Sequence, residues 1–383
     1  MANNNDKKVL NVPALRFPEF SGEWRYSSLW NECDILCGYP FDGQDILEDS
    51  GSVKLLRGIN ITEGEIRHSK ELDRYYSGDI SRLEKYILKE GDLVLGMDGS
   101  KVGRNSAILT ISEHGSYLVQ RVCRIRSQKH NVEYIFHNIN NSKFHRYVDS
   151  VKTASAIPHI SQSDIQDYII AFPPTTEEQI KITSLFSLLD QRIATQNKII
   201  EKLETLIKGI IETVISSQKP NTFIKNCLEC DSSTLQESQV AENGAYPVYG
   251  ATGISGYTET ADVNGEAILI TKDGSGVGTV KFADGEYSYI GTLNRLIARE
   301  GYCLKYLYFA LQGFCFEPYK TGMAIPHIYF KDYGKAKIFC PTIEEQSIIA
   351  KSLSVIENKI SVEKQILFCN QLQKSYLLSQ MLI

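Results

Sequence analysis

Residues 176–217 read TEEQIKITSLFSLLDQRIATQNKIIEKLETLIKGIIETVISS, and a second copy of the pattern begins at Glu344-Glu345-Gln346. Prolines precede both copies, and proline suits the extended entry to a helix better than its interior. When the two glutamines are aligned, apolar residues recur in alternating steps of four and three residues. The first seam is Ile182, Phe186, Leu189, Ile193, Gln196, Ile200, Leu203, Ile207, Ile210 and Val214, and the second is Ile349, Leu353, Ile356, Ile360, Glu363, Leu367, Asn370, Lys374, Leu377 and Met381.

This spacing is the heptad repeat of a coiled coil. Each stretch of about 40 residues predicts a helix of about 60 Å at 1.5 Å per residue. Two independent core helices are the alternative, but their apolar stripes would be broader and would follow a period of 3.6. Polar residues on the seam cost stability and fix register and partner. We therefore predict one antiparallel coiled coil within the chain, with the second helix closing the fold.

The composition indicates a globular protein of two or three domains. The chain has 383 residues, of which 42% are hydrophobic and 23% are charged. No apolar run approaches the ~20 residues of a membrane span, and residues 1–8 lack the apolar region of a signal peptide. Nine cysteines are scattered, and neither Cys227-x-x-Cys230 nor Cys33-x-x-x-Cys37 has a second pair at zinc spacing. We expect buried and surface thiols, no membrane association and a cytoplasmic protein.

The charge is unevenly distributed. The net charge is −5, but residues 53–152 hold 17 Lys and Arg against 12 Asp and Glu, with five histidines. Residues 19–50 and 225–335 are acidic on balance. Because DNA binding needs a basic face and not a basic total, the first half has the stronger electrostatic support.

Proline, glycine and apolar periodicity divide the chain into five segments. The expected order is an extended segment (1–24), a globule (25–174), a helix (175–219), a second globule (220–341) and a C-terminal helix (342–383). Strands are predicted at 53–56, 92–96, 106–111 and 117–125, and a helix at 131–147. Pro220 is the stop signal for the first long helix.

The two globules repeat short motifs in the same order. GDLVL at 91–95 and DGSKVG at 98–103 match GEAIL at 265–269 and DGSGVG at 273–278. Residues 134–136 match 306–308, and AIPHI occurs at both 156–160 and 324–328. The sequence therefore predicts an α+β protein with two mixed α/β domains, a pseudo-twofold internal repeat and globules at opposite ends of a rod. Two similar but non-identical globules suit a DNA site with two half-sites about 34 Å apart.

These residues resemble the DNA specificity subunits of type I restriction-modification systems. The resemblance rests on NVPALRFPEFSGEW at 11–24, the two glycine segments, YPVYGATGI at 246–254 and the Pro-x-x-Glu-Glu-Gln helix entries. It implies two target recognition domains that read a bipartite, asymmetric site in double-stranded DNA. It also implies two modification (methyltransferase) subunits and restriction/translocase subunits as partners. S-adenosylmethionine, ATP and Mg²⁺ are then expected in those partners, and no cofactor in this chain.

Motifs for catalysis are not found in the sequence. Pro173-Pro174 lies outside any Asn/Asp-Pro-Pro-Tyr/Phe motif of amino-methyltransferases, and no GxxxxGK[ST] loop occurs. GSGVG at 274–278 lacks the glycine spacing of a dinucleotide fingerprint. Each glycine loop is interpreted either as a tight turn or as a loop that approaches phosphates or bases, and the two readings are compatible.

The candidate DNA contacts are cations and hydroxyls on or near these loops, where a solvated surface role is the alternative. The candidates are Arg57, Arg67, His68, Arg74, Ser100, Lys101, Arg104, Lys272, Ser275 and Lys281. His159 and His327 occupy one position of the repeat, and we expect their turns to fix the junction between globule and helix. Docking candidates for the modification subunits are Lys181, Arg192, Lys198, Lys351 and Lys359.

Two other functions remain open from the residues alone. A coiled-coil scaffold with two protein-binding globules predicts no sequence-selective DNA binding in any complex. A phosphate- or nucleotide-using enzyme rests only on the glycine loops and predicts tight nucleotide binding by the pure chain.

Overall fold

A computed structural model describes residues 11–49, 53–274, 276–322 and 325–383. The chain divides into two compact units. The first takes in the described residues up to Ala194 together with Cys369–Ile383, and the second is Thr195–Phe368. Each unit therefore combines one globule with part of each long helix.

The first unit contains ten strands and four short helices among its described residues, and the first long helix begins in it. They are β1 Arg25–Ser28, α1 Leu29–Glu32, β2 Asp34–Cys37, β3 Ile46–Leu47, β4 Val53–Leu56, β5 Arg74–Tyr76, β6 Leu93–Gly96, β7 Ser106–Ile108, β8 Tyr117–Leu118, β9 Val122–Arg126, α2 Val132–Ile139, α3 Ser142–Val151, α4 Gln162–Asp167, β10 Ile169–Phe172 and the long α5 Thr176–Ile210.

Two four-stranded sheets form the first globule. One is antiparallel in the order β2-β9-β6-β7, and the other has the order β3-β5-β4-β8, in which β4 and β8 are parallel. Side chains alternate across a strand, so Leu93 and Leu95 face helices α2, α3 and α5 whereas Val94 faces the second sheet. Because β6 is covered on both faces, it reads as a continuous apolar run instead of an alternating one.

The second unit repeats this plan with ten strands among its described residues, but two short helices instead of three lie between the ninth and the tenth strand. The elements are β11 Thr222–Phe223, α6 Ile224–Cys227, β12 Leu228–Ser232, β13 Tyr246–Gly250, β14 Gly253–Thr258, β15 Val263–Asn264, β16 Ala267–Thr271, β17 Val280–Ala283, β18 Glu286–Tyr289, β19 Leu293–Ala298, α7 Leu304–Gln312, α8 Phe330–Tyr333, β20 Lys337–Ile338 and the long α9 Ile343–Met381.

The internal repeat extends beyond the sequence motifs to the order of the strands in the sheets. The order β12-β19-β16-β17 copies that of the first antiparallel sheet, and the parallel pair β13–β18 copies β4–β8. Strands β1 and β10, and likewise β11 and β20, close each globule as an antiparallel pair beside a long helix. The predicted α+β class with an internal repeat is confirmed.

Two predicted elements are each broken in the structure. The strand expected at 117–125 is two strands, because Arg121 adopts φ +68° and the chain passes from one sheet to the other. The helix expected at 131–147 is also two helices. Asn140 ends α2, and the Asn141 side chain accepts hydrogen bonds from the first amides of α3.

The long helices lie where the heptads predicted them. In the first unit the N-terminal part of α5 packs with the C-terminal end of α9, and in the second unit the C-terminal part of α5 packs with the N-terminal part of α9. The helices are therefore antiparallel. All ten predicted seam positions of α9 are buried or half-buried.

The end of the first seam was predicted incorrectly. After Ile210 the helix widens into one π-helical segment, Ile211–Ser216. Its i→i+5 bonds add a residue to the turn, so Ile211 and Ile215 are buried where Ile210 and Val214 were expected, and Val214 is exposed.

Three of the polar residues on the seams, Gln196, Glu363 and Lys374, have partners on the opposite helix, whereas the buried Asn370 amide nitrogen has none among the described residues. In the second unit the Gln196 amide donates to the carboxylate and, at 3.2 Å, to the backbone carbonyl of Glu363. In the first unit the Lys374 ammonium pairs with Asp190. These pairs satisfy groups whose burial without a partner costs about 1–3 kcal/mol, and they favour one register of the two helices. Among the described residues, no helix has the length and apolarity that crossing a membrane requires.

Candidate nucleic-acid interface

Three loops of the first globule meet at one edge, and we call them the first loop platform. The Gly99 amide donates to the Pro158 carbonyl at 3.0 Å, and the Ile160 amide donates to the Met97 carbonyl at 3.0 Å. The Met97 amide in turn donates to the Arg121 carbonyl at 2.9 Å. The platform therefore comprises the glycine loop 97–104, the turn 119–122 and the Ile-Pro-His-Ile turn 157–160.

The second globule builds the same platform with the same bonds. The Gly274 amide donates to the Pro326 carbonyl at 3.0 Å, and the Ile328 amide donates to the Lys272 carbonyl at 2.9 Å. The Lys272 amide donates to the Thr292 carbonyl at 2.9 Å. We call these segments the second loop platform: 272–279 without residue 275, 290–293 and 325–328.

Glycine is required in these loops by conformation and by space. Gly99 and Gly274 have φ of +89° and +96°, which L side chains rarely adopt. A Cβ on Gly103 would lie 2.7 Å from a methyl carbon of Val148, and one on Gly278 would lie 3.1 Å from Phe316. The tight-turn interpretation is therefore confirmed, and approach to phosphates stays a prediction.

Each platform exposes one large apolar side chain at the same position of the repeat. Ile157 is 67% exposed and Ile325 is 58% exposed, whereas Ile160 and Ile328 of the same turns are buried. Because the same isoleucine is exposed on a loop in both globules, it is a candidate contact residue. The duplicated motif was visible in the sequence, but which isoleucine faces solvent was not.

The predicted loop cations carry partners of different kinds. In the first unit Lys101 pairs with Glu63 at 2.9 Å and Arg104 with Asp149 at 2.7 Å, and Ser100 is exposed. The Arg104 and Lys152 side chains lower the pKa of Asp149 to about 2, with the larger contribution from the Lys152 hydrogen bond. Both loop pairs lie at the surface, where such pairs contribute little stability.

In the second unit, Lys272 lies at the root of the glycine loop, with its ammonium 3.5 Å from the Ser232 hydroxyl. The half-buried Lys281 donates to the Ala251 carbonyl at 2.8 Å, so it holds the hairpin loop between β13 and β14. Burial lowers the pKa of Lys281. Ser275 lies outside the described residues.

Four further candidates surround a polar cluster in the first globule. The His68 ring is hydrogen-bonded to Asp73 and Glu113, each at 2.9 Å. Burial raises the pKa of Glu113, but bonds from Ser112, His68 and Thr110 outweigh burial and lower it to about 2. The remaining candidates differ in accessibility: half-buried Arg57 donates to the Leu72 carbonyl, Arg74 pairs with Glu48, and Arg67 is exposed.

His68, Arg57 and Arg74 each make hydrogen bonds within the globule, and their contact with DNA stays a prediction. The structure does not bring these four candidates onto the first loop platform. Arg121, which sequence reasoning missed, does lie on it. No sequence signal marks an arginine that adopts a left-handed backbone.

The histidine turns do not fix the globule–helix junction, contrary to expectation. His159 bonds to Thr153, and His327 bonds to Asp273 at 2.7 Å, all within the globules. The junction is fixed by the glutamine of each Glu-Glu-Gln motif. Its side-chain oxygen accepts the amide of the residue before the globule's own helix: Gln179 from Asn131, and Gln346 from Cys303, both at 3.0 Å.

The helices expose a second apolar stripe that the docking candidates did not include. Within the second unit, Ile348, Val355 and Val362 of α9 are 66%, 64% and 47% exposed. Their spacing of seven residues places them on one face, outside the inner seam. Of the charged candidates, Lys181 pairs with Glu19 and Lys359 with Glu363, while Arg192, Lys198 and Lys351 are exposed.

All nine cysteines are free. Among the residues that the structure describes, no group of three or more His, Cys, Asp and Glu is arranged to hold a metal ion.

A sequence model described as the type I restriction modification DNA specificity domain matches residues 24–205 and 228–368. The chain is 24% identical over 239 residues to the type I restriction enzyme EcoBI specificity subunit of Escherichia coli. That match covers 60% of this chain and 47% of the relative. This chain is also 27% identical over 199 residues to the type I restriction enzyme EcoAI specificity subunit of the same organism. That match covers 51% of this chain and 31% of the relative. The chain thus spans less than half the length of the curated relatives it matches.

The fold is similar to that of a solved structure over its whole length. The S subunit of a type I restriction-modification system from M. genitalium superposes with a TM-score of 0.67 at 16% identity. The superposition covers 97% of this chain and 99% of that one. At this identity the likeness concerns the fold alone.

Proposed function

The chain belongs to the family of type I restriction modification DNA specificity domains, and from this premise we propose that it is the DNA specificity subunit of a type I complex. Each globule reads one half of a bipartite, asymmetric site in double-stranded DNA. The subunit itself performs no chemistry and directs a methyltransferase to its target.

The observation that carries this proposal is the duplicated loop platform. Backbone bonds are the same in both copies, but the side chains differ. The first platform presents Arg121, Lys101 and Arg104, whereas the second presents Lys272 and has Thr292, with a buried hydroxyl, in place of Arg121. A common scaffold with different side chains supports two half-sites of different sequence, because the backbone sets the position and the side chains set base preference.

On each platform the cations and the exposed isoleucine contact different parts of the DNA. Lys101, Arg104 and Lys272 contact phosphates, where a cation gives salt-dependent affinity without sequence preference. Their present partners are exposed or weak acceptors, so phosphate replaces them at small cost. Ile157 and Ile325 contact thymine methyl groups or the apolar edges of bases.

The apolar stripe of α9 supports docking of the two modification subunits on the coiled coil. Large exposed apolar side chains at heptad spacing suit an interface with another helix. The restriction/translocase subunits join the complex by binding the modification subunits and not this chain. S-adenosylmethionine, ATP and Mg²⁺ belong to those partners, and the complex acts in the cytoplasm, where the host DNA lies.

The test is methylome sequencing of a host that lacks adenine methylation and expresses this chain with its cognate modification subunit. We expect methylated adenine in one bipartite motif with a fixed spacer, and no methylation when this chain is omitted. An assembled, active complex that methylates without sequence preference would contradict the proposal and favour the scaffold function.

A further inference from the structure

The backbone of the first loop platform is strained at one position. Arg121 has φ +68°, and it is the only residue other than glycine with a positive φ in the part of the chain that the structure describes. The Val122 amide donates to the Val119 carbonyl at 3.2 Å, so Arg121 occupies the third position of a type II turn. Glycine is the usual residue there, because it adopts this conformation without steric cost.

The surrounding contacts hold Arg121 in this conformation. Its carbonyl accepts the Met97 amide, and the Gly38 amide donates to the carbonyl of neighbouring Val122 at 2.9 Å. A Cβ on Gly38 would lie 2.1 Å from the Val119 carbonyl oxygen, so the turn is pressed against the chain at β2. These contacts hold the backbone of the turn, so they fix the direction in which the Cα–Cβ bond of Arg121 leaves it.

The Arg121 guanidinium differs from the neighbouring cations. It is exposed, and among the described residues it makes no hydrogen bond or ion pair. Lys101 and Arg104, by contrast, each pair with a carboxylate. Arginine in a backbone conformation that favours glycine costs conformational free energy. The side chain that the chain keeps at this position despite that cost is an exposed guanidinium without a partner in the described part of the chain.

The second platform has no arginine at this place. Thr292 provides the carbonyl that is equivalent to that of Arg121. The residue whose amide donates to it is Lys272, so the cation of the second platform takes the place of Met97. Two half-sites of different sequence require different base-reading side chains at equivalent places, and the planar guanidinium suits the O6 and N7 acceptors of guanine.

We propose that Arg121 is a specificity-determining residue that reads a guanine in the half-site bound by the first globule. This inference rests on the proposed function and goes further by naming the residue, the half-site and the base. The guanidinium of Arg121, which the strained turn carries, forms two parallel hydrogen bonds to the guanine edge in the major groove.

The test compares Arg121→Gly with the wild-type chain in the assembled complex. Glycine suits φ +68°, so thermal unfolding should occur at the same or a higher temperature. Methylome sequencing and methylation rates on single-base variants of the wild-type site should show discrimination at one position of one half-site falling by about tenfold or more. The other half-site and the spacer should stay the same.

Two controls separate this inference from its alternatives. Arg82→Gly removes another exposed guanidinium of the first unit, at a residue outside the three platform segments, and should leave the motif unchanged. Arg121→Lys keeps the charge but not the planar fork, and should also lose discrimination.

Three outcomes would count against the inference. An unchanged motif in Arg121→Gly would overturn it, and so would uniform weakening across all sequences with a reduced salt dependence, which indicates a phosphate contact. If the wild-type complex itself gives no motif, the proposed function fails first.

Discussion

At the scale of single residues, His137 is the most strongly perturbed histidine of the first unit. It is buried in α2 against the rings of Phe136 and Phe186. Burial, and secondly the charge of Lys374, lowers its pKa to about 3. Lys374 is itself paired with Asp190. In the folded first unit the imidazole of His137 therefore stays neutral in the pH range near 6.5 and below, where the same imidazole in the unfolded chain becomes protonated.

The sign of the pH dependence follows from linkage. The unfolded histidine binds a proton below pH ~6.5, whereas the folded one does not until pH approaches 3, so stability is lost as pH falls through this window. We expect His137→Phe to remove about 2 kcal/mol of the stability loss between pH 7.5 and pH 5, at ~1.4 kcal/mol per pH unit. The low pKa values of Glu32 and Glu113, both about 2, act only below pH ~4.5.

Tryptophan fluorescence is a suitable measurement for this prediction, because both tryptophans, Trp24 and Trp30, lie in the first unit. Urea unfolding of the full chain at the two pH values should give a smaller change for His137→Phe than for the wild type. Equal changes would show that other groups govern the pH response.

At the scale of secondary-structure elements, α9 has two apolar faces with different roles. The inner face packs against α5, while Ile348, Val355 and Val362 remain exposed. The hydrophobic contribution of such side chains, about 1.5–3 kcal/mol each when fully buried, is available to a partner. In the proposed complex that partner is a modification subunit.

Val355→Glu tests this assignment. A charge in the middle of the stripe should weaken assembly with the modification subunit by tenfold or more, because the carboxylate would be buried without a partner. Asn358→Glu adds the same charge three residues further on the same helix, outside the stripe, and should assemble normally. Co-purification and analytical ultracentrifugation measure assembly, and circular dichroism should show that both variants keep their helices. Normal assembly of Val355→Glu would remove the stripe from the interface.

The sequence predicted the elements well where the signal is local. Alternating steps of three and four residues located both long helices, and the glycine loops were found because only glycine adopts their backbone. The end of α5 was missed because Ile210, Ile211, Val214 and Ile215 are all apolar and fit two registers equally. The break at Arg121 was missed because arginine carries no turn preference.

The candidate site was predicted less well, because its contacts are tertiary. The glutamines of the Glu-Glu-Gln motifs were noticed as helix entries, but their bonds to Asn131 and Cys303 join residues more than 40 positions apart. Likewise, cation type and position suggested His68 and Arg57 as DNA contacts, which stays a prediction, but their hydrogen bonds within the globule were not visible in the sequence.

At the scale of the whole molecule, two units of one plan differ in the side chains they present. Each unit has its own buried clusters and its own loop platform, so changes in one platform need not disturb the other. Under the proposed function, this independence lets a single chain read two unrelated half-sites.

The most direct test of this account exchanges residues 25–174 for the corresponding segment of another family member and sequences the methylome of the assembled complex. We expect one half of the bipartite motif to change to that of the donor, while the other half keeps its sequence. If both halves change together, or if neither changes in an active complex, the claim that each globule reads its own half-site is contradicted.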